Sequence, residues 1–149
     1  MQNITYQLER WGVILQELMP LSKIQGVELG RGYGLDLDYV KYESLDRQGL
    51  LKVTTVRDRG VLVGWYINIL MLHPHYKTVL FGFMDTFYIV PQYRVGMIGL
   101  GLFMEMEGQM IKLGVKELIA ISKYACDVST IFNRLGWTPE GVTFSKTLV

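Results

Sequence analysis

The chain has 149 residues, half of them hydrophobic and 19% charged, with 15 Lys and Arg against 14 Asp and Glu for a formal net charge of +1. That length is one domain's worth, residues 1–149, and the apolar content excludes a disordered or fibrous chain. The near-neutral balance excludes a protein that recruits nucleic acid through a basic stripe, so no nucleic-acid partner is expected. In chain order, Ile4, Tyr6 and Leu8 alternate as in a strand, and Trp11, Ile14, Leu15, Leu18 and Leu21 recur at helical spacing. Gly26, Gly30, Gly32 and Gly34 predict a flexible connection, followed by a second helix over 38–45 with Tyr39, Tyr42 and Leu45 on one side. Residues 50–56 are β-rich, Arg57-Asp58-Arg59-Gly60 reads as a hairpin turn, and 61–72 as a long strand. His73-Pro74-His75-Tyr76 is a second turn and 78–90 a third strand, completing an antiparallel meander.

Pro91 ends that strand, and a Gly-containing turn leads into a helix whose inner face is Ile98, Leu102, Phe103, Met106, Met110 and Leu113. Lys112 in its last turn and Gly114 beyond it write the helix stop. Residues 115–122 read as a buried strand, Asp127 or Ser129 as the cap of a short helix ending at Leu135-Gly136, and 142–148 as a terminal strand. A strand–helix–strand unit with so long a helix makes its two strands parallel within an otherwise antiparallel sheet, so the class is mixed α/β.

Cys126 is the one cysteine, which rules out an internal disulfide and fits a reducing compartment. No basic stretch followed by an apolar one opens the sequence. The longest apolar run, residues 60–72, is broken by Asn68 and falls short of the ~18 residues a membrane span needs. No membrane association is expected, and the location expected is the cytoplasm.

The segment that carries chemistry is Ile89 to Leu102, a strand running into a glycine-containing turn at a helix N-terminus. The first turn of a helix leaves N–H groups unpartnered, and the helix dipole adds positive potential there. With Arg94 nearby, a pyrophosphate is the natural guest. The Gly-Lys-Ser/Thr of a P-loop is missing, and the glycines fall as Gly96-x-x-Gly99-x-Gly101 rather than G-x-G-x-x-G, so both nucleotide fingerprints are rejected.

Ile89-Val90-Pro91-Gln92-Tyr93-Arg94-Val95-Gly96-Met97-Ile98-Gly99-Leu100-Gly101-Leu102 resembles the acetyl-CoA-binding motif of the GNAT acetyltransferase superfamily, with Met97 where that motif has its first glycine. Ile131-Phe132-Asn133-Arg134-Leu135-Gly136-Trp137 is similar to the same family's C-terminal signature. The layout further resembles small stand-alone GNAT proteins of tailed phages, which would place it in a host cytoplasm or a virion. The resemblance implies a GNAT-like acyl-CoA N-acyltransferase fold, with a twisted mixed sheet of six or seven strands, and an N-acetyltransferase that moves an acetyl group from acetyl-CoA to an amine. The alternative is a catalytically silent acyl-CoA-binding or virion-associated protein that keeps the fold.

On this resemblance, Tyr88, Ile89 and Val90 would meet the pantetheine arm and the thioester carbonyl, while Arg94, Val95, Gly96, Met97, Ile98 and Gly99 would cradle the pyrophosphate. The family's frequent glutamate base maps to Phe83, and its acidic tyrosine to Phe132, which would line the cofactor without donating a proton. Asp85, on the strand face of Phe83, is the candidate base, or else a buried carboxylate held by backbone donors. Tyr124 is the candidate substitute acid. Glu28 and His75 are candidate acceptor-side residues. His73 and His75 with one cysteine make too few ligands for a metal, so none is expected. Cys126 reads as a small core residue, and an exposed edge strand would allow a homodimer.

Overall fold

The computed structural model describes residues 1–149. Five strands hydrogen-bond in the order β1 (Ile4–Glu9), β2 (Leu51–Asp58), β3 (Val61–His73), β4 (Tyr76–Ile89) and β5 (Glu117–Ile119). The first four form an antiparallel meander, and β5 joins β4 in parallel. The β2–β3 turn has two residues, Arg59 (φ 50°) and Gly60 (φ 84°), the left-handed pair that suits a tight hairpin.

Helix α1 (Trp11–Leu29) follows β1, α2 (Tyr39–Arg47) precedes β2, α3 (Ile98–Lys112) links β4 to β5, and α4 (Ser129–Arg134) follows β5. Asp38 caps α2 by accepting the Lys41 N–H at 2.9 Å. Gly114, at φ 84°, terminates α3 as its position predicts. Because side chains alternate along a strand, each sheet face carries its own core. Trp11, Ile14 and Leu18 of α1 pack on Val53, Trp65 and Ile67. On the opposite face Leu102, Phe103, Met106 and Met110 of α3 pack on Val56, Tyr66 and Leu70.

The sheet has five strands rather than six or seven. Residues 142–149 form none, and Val142, Phe144 and Leu148 stay exposed. The β-favouring alternation there finds no paired edge, and such propensity takes effect only against a neighbouring strand. The strand expected over 115–122 shrinks to Glu117–Ile119, the stretch in register with Phe81–Phe83. Conversely α1 continues through Pro20 and Gly26 to Leu29, where the glycines predict a connection. The 30–38 loop folds back on it, and a Cβ on Gly26 would stand 3.1 Å from that of Leu35.

Candidate active site

Two features of β4 create the site. The first is its edge. Past the Phe83–Ile119 pair, β4 runs on to Ile89 with no strand on its α3–β5 side. The Val90 N–H donates to Val63 O at 2.9 Å, so alternation turns the polar groups of Tyr88 toward β3 and those of Phe87 and Ile89 toward the open side. Both outward carbonyls are occupied by side chains. Gln25 Nε2 donates to Phe87 O at 3.0 Å, and Arg94 Nε donates to Ile89 O at 2.7 Å. The outward N–H groups of Phe87 and Ile89 complete a donor edge. This corrects the expectation for Tyr88 and Val90, whose backbone groups serve the sheet, and adds Phe87, which sequence reasoning missed.

The second feature is a bulge. Ile67 pairs with Thr86 and Asn68 with Met84, leaving Asp85 as an extra residue. Asp85 keeps the face of Phe83, as alternation predicts, but the extra residue puts Thr86 on that face as well. Both line a cavity of about 170 Å³ between α1, α2 and the sheet, walled by Trp11, Leu18, Leu29, Leu35, Leu37, Tyr42, Trp65 and Ile67. The Tyr42 hydroxyl donates to Asp85 Oδ2 at 2.6 Å, and its ring stacks on Trp11 at 4.6 Å. Gln25 Nε2 also donates to Thr86 Oγ1 at 2.8 Å, so one side chain ties the cavity to the donor edge. Asp85 is accessible through the cavity mouth. The enclosing walls nevertheless push its carboxyl above the ordinary range, against the Tyr42 hydrogen bond and the Lys41 charge. Asp85 is thus no carboxylate satisfied by backbone donors. Trp11 and Trp65 present buried indole N–H groups with no acceptor in the protein.

The β4–α3 junction lies beyond the donor edge. Gly96 adopts φ 58°, supplying the left-handed turn beside Met97, which caps α3 without a side-chain hydrogen bond. The first intrahelical donor is Gly101 N to Met97 O, at 2.8 Å. The N–H groups of Ile98, Gly99 and Leu100 therefore have no helical partner, and Val95 and Met97 are exposed.

Arg94 is not free there. Its Nη2 contacts Glu28 Oε1 and Oε2 at 3.0 and 2.7 Å, and the guanidinium carbon lies 5.3 Å from the Tyr88 ring centre. Glu28, expected on the acceptor wall, is instead the α1 half of this clasp. His75 sits in the β3–β4 turn, its N–H on His73 Nδ1 at 3.1 Å. Ten residues of strand separate it from Asp85, on the order of 30 Å, so it takes no part in the site. Tyr124 is fully exposed in the turn bridged by Lys123 and Cys126, and Cys126 is exposed rather than core. Phe132 is buried against Phe103 and Trp137, with ring centres at 5.3 and 4.6 Å. It supports α3 from behind rather than lining an open groove. No cluster of three or more metal-ligating side chains is present, and no helix is long and apolar enough to cross a membrane.

A meander closed by one parallel strand, splayed where the linking helix begins, is the GNAT acetyltransferase fold. No family model and no curated protein sequence matches the chain. Solved structures do. An aminoglycoside acetyltransferase, meta-AAC0020, from an uncultured soil metagenomic sample superposes with TM-score 0.75 at 13% identity, covering 98% of this chain and 97% of that one. A protein of Clostridium acetobutylicum described as a predicted acetyltransferase, solved with acetyl-CoA, gives 0.78 at 13% identity over 98% and 97%. The ribosomal-protein-alanine N-acetyltransferase of Brucella melitensis biovar Abortus gives 0.73 at 18% identity over 97% and 99%. At such identities the likeness is one of fold.

Proposed function

We propose that this protein is an N-acetyltransferase that takes its acetyl group from acetyl-CoA and passes it to an amine bound in the Asp85 cavity. The observation that carries the proposal is the outward N–H edge of β4 at Phe87 and Ile89, set between an uncapped α3 N-terminus and a cavity with one accessible carboxylate. The structural neighbours support it, since one was solved with acetyl-CoA and others are described as N-acetyltransferases.

The residues present fit the cofactor. Unpartnered N–H groups at Ile98, Gly99 and Leu100, with Gly96 turning the chain beside them, suit a pyrophosphate. The Phe87 and Ile89 edge suits an extended amide arm laid down like a further strand. When bound, acetyl-CoA supplies an acetyl group activated as a thioester. Outward N–H donors on β4 stabilise negative charge developing on the acetyl oxygen, a contribution of about 3 kcal/mol for a well-placed donor. Asp85 holds the acceptor's ammonium and takes its proton on the carboxylate, which its raised pKa favours. Tyr42 fixes Oδ2, and Oδ1 has no hydrogen-bond partner in the protein. Neither Phe132 nor Tyr124 is placed to protonate a thiolate leaving group, so the thiol of acetyl-CoA would depart as the anion.

Titration with acetyl-CoA by calorimetry, followed by thiol release with amines, tests this. Binding with amine-dependent release is expected. Binding without release on any amine identifies the silent acyl-CoA-binding alternative, and no binding overturns the proposal. Glu28→Gln should tighten acetyl-CoA binding several-fold by releasing Arg94 toward phosphate. An unchanged affinity would show that Arg94 does not serve the phosphate.

A further inference from the structure

Resting on the acetyltransferase proposal, we infer that the acceptor is a monocationic primary amine on a short arm from one ring-sized apolar group, and not a polycation. Three observations converge on this class. Size is the first. The cavity of about 170 Å³ is close to the roughly 150 Å³ void that admits a benzene ring in an apolar core. That leaves room for a ring and a short arm but not for linked sugars.

Wall chemistry is the second. Eight of the twelve lining residues are hydrophobic, and Asp85 is the one charged group among them. An ammonium finds a single anionic partner, while the ring meets Trp11, Leu18, Tyr42, Trp65 and Ile67. Apolar burial supplies most of the affinity there and the carboxylate supplies orientation.

Charge at the mouth is the third. Leu35 separates the cavity from a shallow surface hollow carrying Lys23 and Arg31, and Lys41 lies close enough to Asp85 to act on its charge. Glu28 of α1 is committed to Arg94, and Asp36 and Asp38, on either side of the lining residue Leu37, are exposed. A second or third ammonium on the acceptor would find three cations against those two carboxylates and gain no net attraction, unlike the first on Asp85.

Intrinsic fluorescence tests this without turnover, because Trp11 and Trp65 line the cavity. The free protein is titrated with 2-phenylethylamine, with its neutral analogue 2-phenylethanol, and with the aminoglycoside kanamycin. Saturable quenching by the amine is expected, at least tenfold tighter than by the alcohol, since a hydrogen bond to a charged group contributes about 1.5–3 kcal/mol. Asp85→Asn should abolish that difference, with thermal melting checking that the variant folds. Equal binding of amine and alcohol to the wild type, or tighter binding of kanamycin, would overturn the inference. The two proposals fail separately. Acetyl-CoA-dependent acetylation of kanamycin but not of 2-phenylethylamine sinks the acceptor class and leaves the acetyltransferase standing. Amine binding in a protein that does not bind acetyl-CoA does the reverse.

Discussion

Asp85 is costly to the free protein. Folding raises its carboxyl pKa through the surrounding walls, with Tyr42 and Lys41 only partly opposing them. A carboxyl raised on folding destabilises the native state above its folded pKa. The cost vanishes below the unfolded value of about 4, where both states are protonated. Asp85→Asn should therefore raise the melting temperature at pH 7, by under about 1 kcal/mol of stability because the cavity is open to water. The gain should disappear at pH 3, and melting curves at the two pH values check it. On the proposed mechanism the same raised pKa would set the acid limb of activity: turnover should fall as pH drops through it, because a protonated carboxyl neither holds an ammonium nor accepts a proton.

At the scale of elements, the contact between α3 and β1 shows why one glycine of the motif is fixed by packing. The Tyr6 hydroxyl donates to Ile98 O at 3.1 Å, and a Cβ on Gly101 would sit 2.3 Å from that hydroxyl oxygen. Gly101→Ala must push a rigid ring aside. The overpacking cost of about 1–3 kcal/mol outweighs the ~1 kcal/mol that alanine adds to a helix. Gly108, on the same helix, has nothing within 4 Å of the equivalent position. Gly108→Ala should then stabilise by about 0.5–1 kcal/mol, and urea denaturation should return opposite signs for the two variants.

Much of this architecture is legible in the sequence, and the boundary of legibility has physical causes. The meander, the parallel crossover, the Gly96 turn and the Gly114 stop are local signals, written where the chain uses them. Asp85 was placed on its face by period two alone. The bulge was not readable, because an extra residue leaves no mark on composition and shows only when β3 is laid beside β4. Gln25, Tyr42 and Phe87 were missed for a related reason: each acts across a distance of 43 to 62 residues or through a backbone group. Arg94 was read from its neighbours in sequence, whereas its partner Glu28 comes from the far end of α1.

For the molecule as a whole, an ion cluster built on the buried Arg57–Glu9 pair and the exposed Glu17 joins the first helix to the sheet. Arg57, 8% exposed, donates from Nε to Glu9 Oε2 at 2.9 Å, from Nη1 to Glu17 Oε1 at 2.9 Å and to Gly60 O at 2.7 Å. Glu17 also accepts the Leu62 N–H, and Glu9 accepts from Thr55. Burial works to raise the Glu9 pKa, but Arg57 and the neighbouring donors outweigh it and hold the carboxyl below its usual value. A carboxyl lowered on folding adds stability above its unfolded pKa and loses it as pH falls through the folded one. Wild-type stability should therefore decline as pH drops below about 5. Arg57→Ala, which leaves Glu9 and Glu17 without their cation, should cost about 3 kcal/mol at pH 7 and flatten that acid decline. Denaturant midpoints measured from pH 7 to pH 3 check both.

The odd residue in β4 has a wider consequence. Before it, the strand is phased by the His73–Tyr76 turn; after it, by the junction that starts α3. Excising residue 85 would bring those two phases into step, with Thr86 following Met84 in plain alternation and the strand's remaining end keeping its partners on β3. Phe87 would still face Phe103, Tyr88 would still face Trp65, and the outward amides would be unchanged, but the cavity would lose its carboxylate. The extra residue thus gives the strand a carboxylate on its cavity face without changing which amides it turns outward.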